Sequence, residues 1–87
     1  MSDVDVREGS AVEEGISREL RIVERKLEKY QSQLGSFEDK HGMSTEEFLE
    51  KFNSGELGDD SEWFDWKFAA EAVKRLEKRK AELEKAV

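Results

Sequence analysis

Cysteine and proline are both absent from this chain, and histidine occurs once, at His41. Without cysteine the chain has neither a disulfide nor a thiolate metal site, and one histidine cannot build a zinc cluster. A chain of 87 residues buries only about 60% of the surface that it exposes when unfolded, so a monomer has marginal stability. Because covalent and metal supports are excluded, oligomerisation remains as the way to stabilise so small a domain.

Long apolar runs are also missing, and the chain does not start with the charged and then apolar segment typical of a signal peptide. We therefore expect no contact with a membrane and a cytoplasmic location. The net charge of -7 argues against nucleic-acid binding, which needs a basic face, and favours either a basic protein partner or simple solubility. The acidic residues are concentrated in residues 1–16 and 42–62.

Two stretches have apolar residues at alternating steps of three and four, which is the spacing of one face of an α-helix. The first stretch contains Leu20, Val23, Leu27, Tyr30, Leu34 and Phe37, and the second contains Trp66, Ala69, Val73, Leu76 and Leu83. This pattern predicts an all-α fold with two long antiparallel amphipathic helices that meet along a coiled-coil-like seam. The predicted register places Phe37 near Trp66 and Leu20 near Leu83.

Capping residues divide the chain into three helices, predicted at about 17–41, 44–54 and 61–86. Ser17 is the preferred start of the first helix, and Gly42 is its predicted end. Ser44 with Glu47, and Asp59 with Glu62, have the spacing of capping boxes and are the predicted starts of the other two helices. Residues 1–16 lack a sustained period and are predicted to form a mobile acidic arm beside a single helical domain, 17–87.

Catalytic residues are not found in the sequence. His41 is the one available general base, and no serine or cysteine arrangement accompanies it. Asp59, Asp60 and Glu62 lack the spacing of a calcium loop, and no glycine-rich phosphate loop is present. We therefore predict that the protein is not an enzyme, with no catalytic residues, no metal site and no cofactor.

The first half of the third helix is apolar on several sides, and this predicts that several elements cover it. Four aromatic residues lie there beside an acidic stretch. This pattern is typical of interfaces in which buried aromatic rings supply the binding energy and the surrounding charges speed association with an oppositely charged partner. The predicted partner-binding residues are Trp63, Phe64 and Trp66 as anchors, with Asp59 and Asp60 at the rim. The alternative is that the same rings form a packed core behind a polar turn.

The segment KHGMSTEEFLEKFNSGELGDDSEWFDW, residues 40–66, has an unusual combination of motifs. Gly42 and Met43 precede an acidic pair and Phe48, and a Gly-Glu-Leu-Gly-Asp-Asp run leads to an aromatic, an acid and Trp66. This pattern resembles small prokaryotic antitoxins that are encoded beside a ribonuclease-like toxin. The resemblance implies stoichiometric neutralisation of a basic toxin, and because a basic DNA-binding fold is missing, it does not extend to operator binding.

A second reading is a self-assembling coiled-coil adaptor, in which the seams join two copies into a homodimer or bundle. The residues of this predicted oligomer seam are Leu20, Val23, Leu27, Tyr30, Leu34, Val73, Leu76 and Leu83. Lys80 interrupts the second seam opposite Val23, and a polar seam residue of this kind fixes the alignment of paired helices.

Overall fold

A computed structural model describes the backbone of residues 2–86 and the side chains of residues 12–86. This part of the chain forms three helices and contains no strand: α1 (Ser2–His41), α2 (Thr45–Asn53) and α3 (Ser61–Ala86). The molecule is a rod of 65 × 21 × 18 Å, and its length is that of α1, because 40 residues rise about 60 Å at 1.5 Å each.

The helices α1 and α3 pack against each other as an antiparallel hairpin, which confirms the predicted fold class. Their aliphatic core is formed by the buried side chains Val23, Leu27, Val73 and Leu83, with Ile16, Leu20, Tyr30, Leu34 and Leu76 packed around them. The rings of Phe37 and Trp66 stack with centroids 5.4 Å apart. At the other end, the Arg79 guanidinium donates to the Glu19 carboxylate at 2.6 Å. The predicted contact between Phe37 and Trp66 is therefore present in this chain.

The start of α1 differs from the prediction. The helix begins at Ser2, well before the predicted start at Ser17. Proline is absent from this segment, so the backbone meets no obligatory helix breaker there, and Ser17 lies inside the helix. The side chains of residues 1–11, and the whole of Met1 and Val87, lie outside the described residues. The mobility and separate status of the arm 1–16 stay predictions.

Capping side chains and left-handed glycines define the two turns. The Ser44 hydroxyl accepts the Glu47 backbone N–H at 3.1 Å, as predicted for the start of α2. Gly42, with φ +64°, ends α1 in a left-handed conformation that costs other residues energy. At α3 the cap is Asp60 and not the predicted Asp59, because the Asp60 carboxylate accepts the Glu62 N–H at 3.0 Å. The capping residue of α3 therefore lies one position later in the chain than predicted.

The short helix α2 gives the hairpin a third layer, and it does so only at the turn. Phe48 is its buried residue, and its ring stacks on Trp66 with centroids 4.0 Å apart and planes 3° apart. The Glu38 carboxylate of α1 also accepts the Thr45 N–H of α2 at 2.8 Å. The turn end of the rod therefore has three packed helices, and the adjoining α1–α3 hairpin has two.

Candidate functional site: an exposed aromatic strip

Trp66 is the centre of an aromatic core and is 0% exposed. Phe48 lies on one side of its indole, and Phe37 and His41 stack at centroid distances of 5.4 and 5.5 Å. The indole N–H donates to Thr45 Oγ1 at 3.1 Å, so the polar edge of this buried ring is satisfied. The prediction of Trp66 as a partner anchor is corrected, because a ring without exposed surface cannot contact a partner in this fold.

Trp63 lies at the edge of this core and is half-buried. Its ring centroid is 4.7 Å from that of His41, and its indole N–H donates to the Leu57 carbonyl at 3.1 Å. This hydrogen bond ties the linker, residues 54–60, to the first turn of α3. The position gives Trp63 a structural role, with part of its face still open to solvent.

Phe64 and Phe68 are the aromatic side chains that the fold leaves outside, with exposures of 54% and 57%. They are one helical turn apart, so they lie side by side on α3. The Phe64 ring contacts Phe52 of α2 edge-on at 5.5 Å, and Phe68 meets Tyr30 of α1 at 6.2 Å. Phe52, Phe64, Phe68 and Tyr30 thus form a continuous row across all three helices, here called the aromatic strip.

Three of the four residues of the aromatic strip lie in an acidic part of the chain. Residues 31–70 contain ten acidic and three basic residues. Asp59, Asp60 and Asp65 are exposed, while the Lys67 ammonium lies 4.6 Å from the centre of the Phe52 ring. The two predicted rim residues, Asp59 and Asp60, are therefore at the surface, and one of them also caps α3.

A small ionic network joins the end of α1 to the start of α3. The Glu62 carboxylate accepts two hydrogen bonds from Lys40 Nζ, at 2.9 and 3.1 Å, and lies 3.1 Å from His41 Nε2. The Lys40 hydrogen bond, followed by His41, holds the pKa of Glu62 below its ordinary value of 4.5. His41 therefore pairs with an acid and packs on tryptophan, which is a structural role.

Sequence reasoning missed three members of the aromatic strip: Phe52, Phe68 and Tyr30. A signal was present for Phe68, because the pair Phe64 and Phe68 has i,i+4 spacing and lies off the seam that contains Trp66, Ala69 and Val73. Phe52 and Tyr30 had no such signal, because only the position of α2 and the rotation of α1 bring them to the same surface.

Two grooves flank the α1–α3 seam. One has a volume of about 320 Å³ and is here called the basic groove; it is lined by Lys26, Tyr30, Ala72, Arg75, Leu76 and Arg79. It begins at Tyr30, where the aromatic strip ends. The other groove, of about 230 Å³, lies under α2 and is mainly apolar, with Leu34, Leu49, Ala70 and Val73 in its lining.

The residues predicted as an oligomer seam pack within one chain in this structure. Val23, Leu27, Val73 and Leu83 are buried in the hairpin core, so they could join two copies only by exchanging helices. Lys80 is half-buried on α3. The predicted use of these residues between copies stays a prediction.

Other chemistry is limited in the part of the chain that is described. No cluster of three or more histidine, aspartate or glutamate side chains with the geometry of a metal site occurs among these residues. Within residues 2–86, none of the three helices combines the length and the apolar composition needed to cross a membrane. Among these side chains, the aromatic strip and the two grooves are thus the features available for binding.

Comparison with protein-family models, with curated proteins and with solved structures finds no match to this chain. The resemblance of segment 40–66 and its flanking helices to small antitoxins therefore stays a prediction.

Proposed function

We propose that this protein is a non-catalytic binding module that captures a basic protein through the aromatic strip. The observation that carries this proposal is the pair Phe64 and Phe68, both more than half exposed in a chain that buries Phe48 and Trp66 completely. Aromatic residues dominate the energy of protein interfaces because each ring removes a large apolar area from water when it is covered. A fold this small has exposed two of its largest side chains in adjacent positions.

The charge around the strip indicates the class of partner. The acidic excess in residues 31–70 produces a negative potential, which speeds association with a positively charged surface and disfavours acidic partners. The strip supplies the buried contact, and Asp59, Asp60 and Asp65 supply the rim.

A ribonuclease-like toxin is the basic partner that we favour. A ribonuclease must hold a polyanion, so the surface around its active site is positively charged. An acidic protein with protruding rings can cover such a surface and exclude RNA, with one binding protein needed for each toxin. This mechanism agrees with the resemblance of segment 40–66 to small antitoxins.

The test is a calorimetric titration of this protein into the product of an adjacent gene that encodes a ribonuclease-like protein. The Phe64→Ser/Phe68→Ser variant is expected to lose at least about 30-fold in affinity, since one hot-spot residue contributes about 2 kcal/mol or more. Val12→Ser is the matched control, because Val12 is also exposed, at 63%, but lies far from the strip. This control should bind and inhibit RNA cleavage as the wild type does.

Two outcomes would overturn the proposal. One is a neighbouring gene product that neither binds the wild-type protein nor loses ribonuclease activity in its presence. The other is a double variant that folds and binds with unchanged affinity, which would place the contact away from Phe64 and Phe68. Circular dichroism of each variant separates lost binding from lost folding.

The adaptor function is the second candidate, and one observation favours it. The aromatic strip meets the basic groove at Tyr30. Because the chain segment that carries most of the strip is acidic and the groove is basic, the surface of one copy complements that of another. In this reading, self-assembly would use the exposed flank of the hairpin and leave its seam intact.

A further inference from the structure

One stripe of α3 changes character along its length. Asp65, Phe68, Ala72, Arg75 and Arg79 follow one another at steps of three and four, so they lie on the same side of the helix. The stripe begins with an acid and an exposed ring, passes a small residue, and ends with two cations. Its two halves are complementary in both shape and charge.

The second half of the stripe is also one wall of the basic groove. Ala72 is buried, at 4% exposure, and lies at the floor of the groove, with Arg75 and Arg79 lining the same cavity of about 320 Å³. This space is larger than a phenylalanine side chain. The Arg79 guanidinium already pairs with Glu19, whereas Arg75 is exposed at the edge.

We propose that the occupant of the basic groove is the aromatic strip of a second copy, in an antiparallel dimer with twofold symmetry. When two α3 helices cross in opposite directions at residue 70, Phe68 of each copy lies opposite Ala72 of the other. The same alignment places Phe64 opposite Leu76 and Asp65 opposite Arg75. Each pair occurs twice, as a twofold interface requires.

Charge complementarity argues for a second copy. Residues 56–70 contain five acidic residues and one basic residue, while residues 71–86 contain six basic and four acidic residues. The first segment joins the linker residues 56–60 to the first ten residues of α3, and the second is the rest of that helix, so the two segments cannot meet within a chain. An antiparallel neighbour brings the acidic linker and first turns of one α3 toward the basic half of the other, whereas parallel alignment would place like charges together.

The size of the surface is compatible with this arrangement. From Asp65 to Arg79 the stripe extends about 21 Å along α3 at 1.5 Å per residue. A stable interface buries about 800 Å² on each partner, which is roughly one eighth of the 6515 Å² surface of this chain. The flank of the hairpin, with α1 residues Ile22, Lys26 and Tyr30 beside the stripe, is the surface that contributes this area.

The test is a charge exchange followed by light scattering and sedimentation over a concentration series. The wild-type protein is expected to convert to a dimer as its concentration rises, and Arg75→Glu and Asp65→Arg are each expected to weaken the dimer at least tenfold. The combined Asp65→Arg/Arg75→Glu variant should restore dimerisation, because both reversed pairs are again opposite in sign. Lys74→Glu, which reverses a charge in the other groove, is the matched control and should leave the dimer unchanged.

The proposal is overturned if the wild-type protein stays a monomer throughout the series, or if the combined variant fails to recover the dimer although it folds. A dimer made by exchanging helices would be insensitive to all four variants, and this outcome also contradicts the proposal. The measurement uses the isolated protein, so its result is independent of any toxin. Both contacts use Phe64 and Phe68, so dimerisation and capture of a basic partner exclude each other in one molecule, and the failure of either is seen separately from the failure of the other.

Discussion

The two ends of the rod are built in different ways. At the turn end, residues 31–70, three helices meet and the core is aromatic, with Trp66 between Phe48 and Phe37. At the open end, residues 17–30 and 71–86, two helices meet along one row of aliphatic side chains. A pair of helices can bury one stripe of each, whereas a third helix encloses a volume large enough for an indole.

The two ends of the rod also differ in net charge. The turn end has ten acidic and three basic residues, while the open end has seven acidic and eleven basic residues. The third helix also explains why the exposed aromatic strip lies at the turn, since α2 covers Trp66 but leaves Phe64 and Phe68 outside. This comparison yields four predictions on stability, given from the largest expected effect to the smallest.

Trp66→Ala is expected to remove about 3–5 kcal/mol, because it leaves a cavity inside the only three-layered part of the molecule. Small domains have about 5–15 kcal/mol of stability in total, and a chain of 87 residues lies at the low end. Thermal denaturation followed by circular dichroism should therefore show a largely unfolded variant at room temperature. A shift of only a few degrees would mean that the aromatic core contributes little.

Leu83→Ala is expected to cost about 2 kcal/mol, the low end for such a truncation, because a site in a two-helix layer can partly collapse or fill with water. The loss should be local. Hydrogen exchange is expected to accelerate in the last three turns of α3 and in the facing part of α1, while the amides of α2 keep their protection. Equal acceleration of hydrogen exchange at both ends would show that the rod unfolds as one unit, with no difference in local stability between the two ends.

Gly42→Ala is expected to cost about 1–2 kcal/mol, because alanine at φ +64° is strained. Gly35→Ala is the matched control, and it is expected to raise the free energy of unfolding. Gly35 is helical, nothing lies within 4 Å of an added Cβ, and alanine gains about 0.5–1 kcal/mol over glycine inside a helix. Chemical denaturation of both variants measures the difference, and a Gly42→Ala protein as stable as Gly35→Ala would contradict the role of the turn.

Acid should weaken the turn end through Glu62 by a smaller amount. The pKa of Glu62 is lowered in the fold by Lys40 and His41, so its contribution is present above the unfolded value of 4.5 and is lost as pH falls through the lowered pKa. Glu62→Gln should therefore flatten the decrease of the melting temperature below about pH 4.5. Glu50→Gln, an exposed acid on α2, serves as the control, and an identical slope in both variants would exclude this network.

The hairpin itself was predictable from the sequence. Apolar spacing predicted both long helices and the contact of Phe37 with Trp66, and the spacing of Ser44 and Glu47 predicted the cap of α2. These features depend on local sequence and on one periodic contact. Neither needs knowledge of how a third element packs.

The exposure of each ring was not predictable in the same way. Trp66 and Phe64 belong to one aromatic cluster in the sequence, yet one has no exposed surface and the other is half exposed. The difference depends on where α2 lies, which two turns containing left-handed glycines determine. The early start of α1 was missed because residues 1–16 have no sustained apolar period in the sequence.

The hydrogen bond from the Trp63 indole to the Leu57 carbonyl gives the protein a built-in optical reporter. The chain contains two tryptophans, and they sense different events. Emission from Trp66 changes when the whole fold melts, because that ring is enclosed on all sides. Emission from Trp63 changes when the linker is displaced from α3, so movement beside the aromatic strip can be followed in solution without attaching a dye.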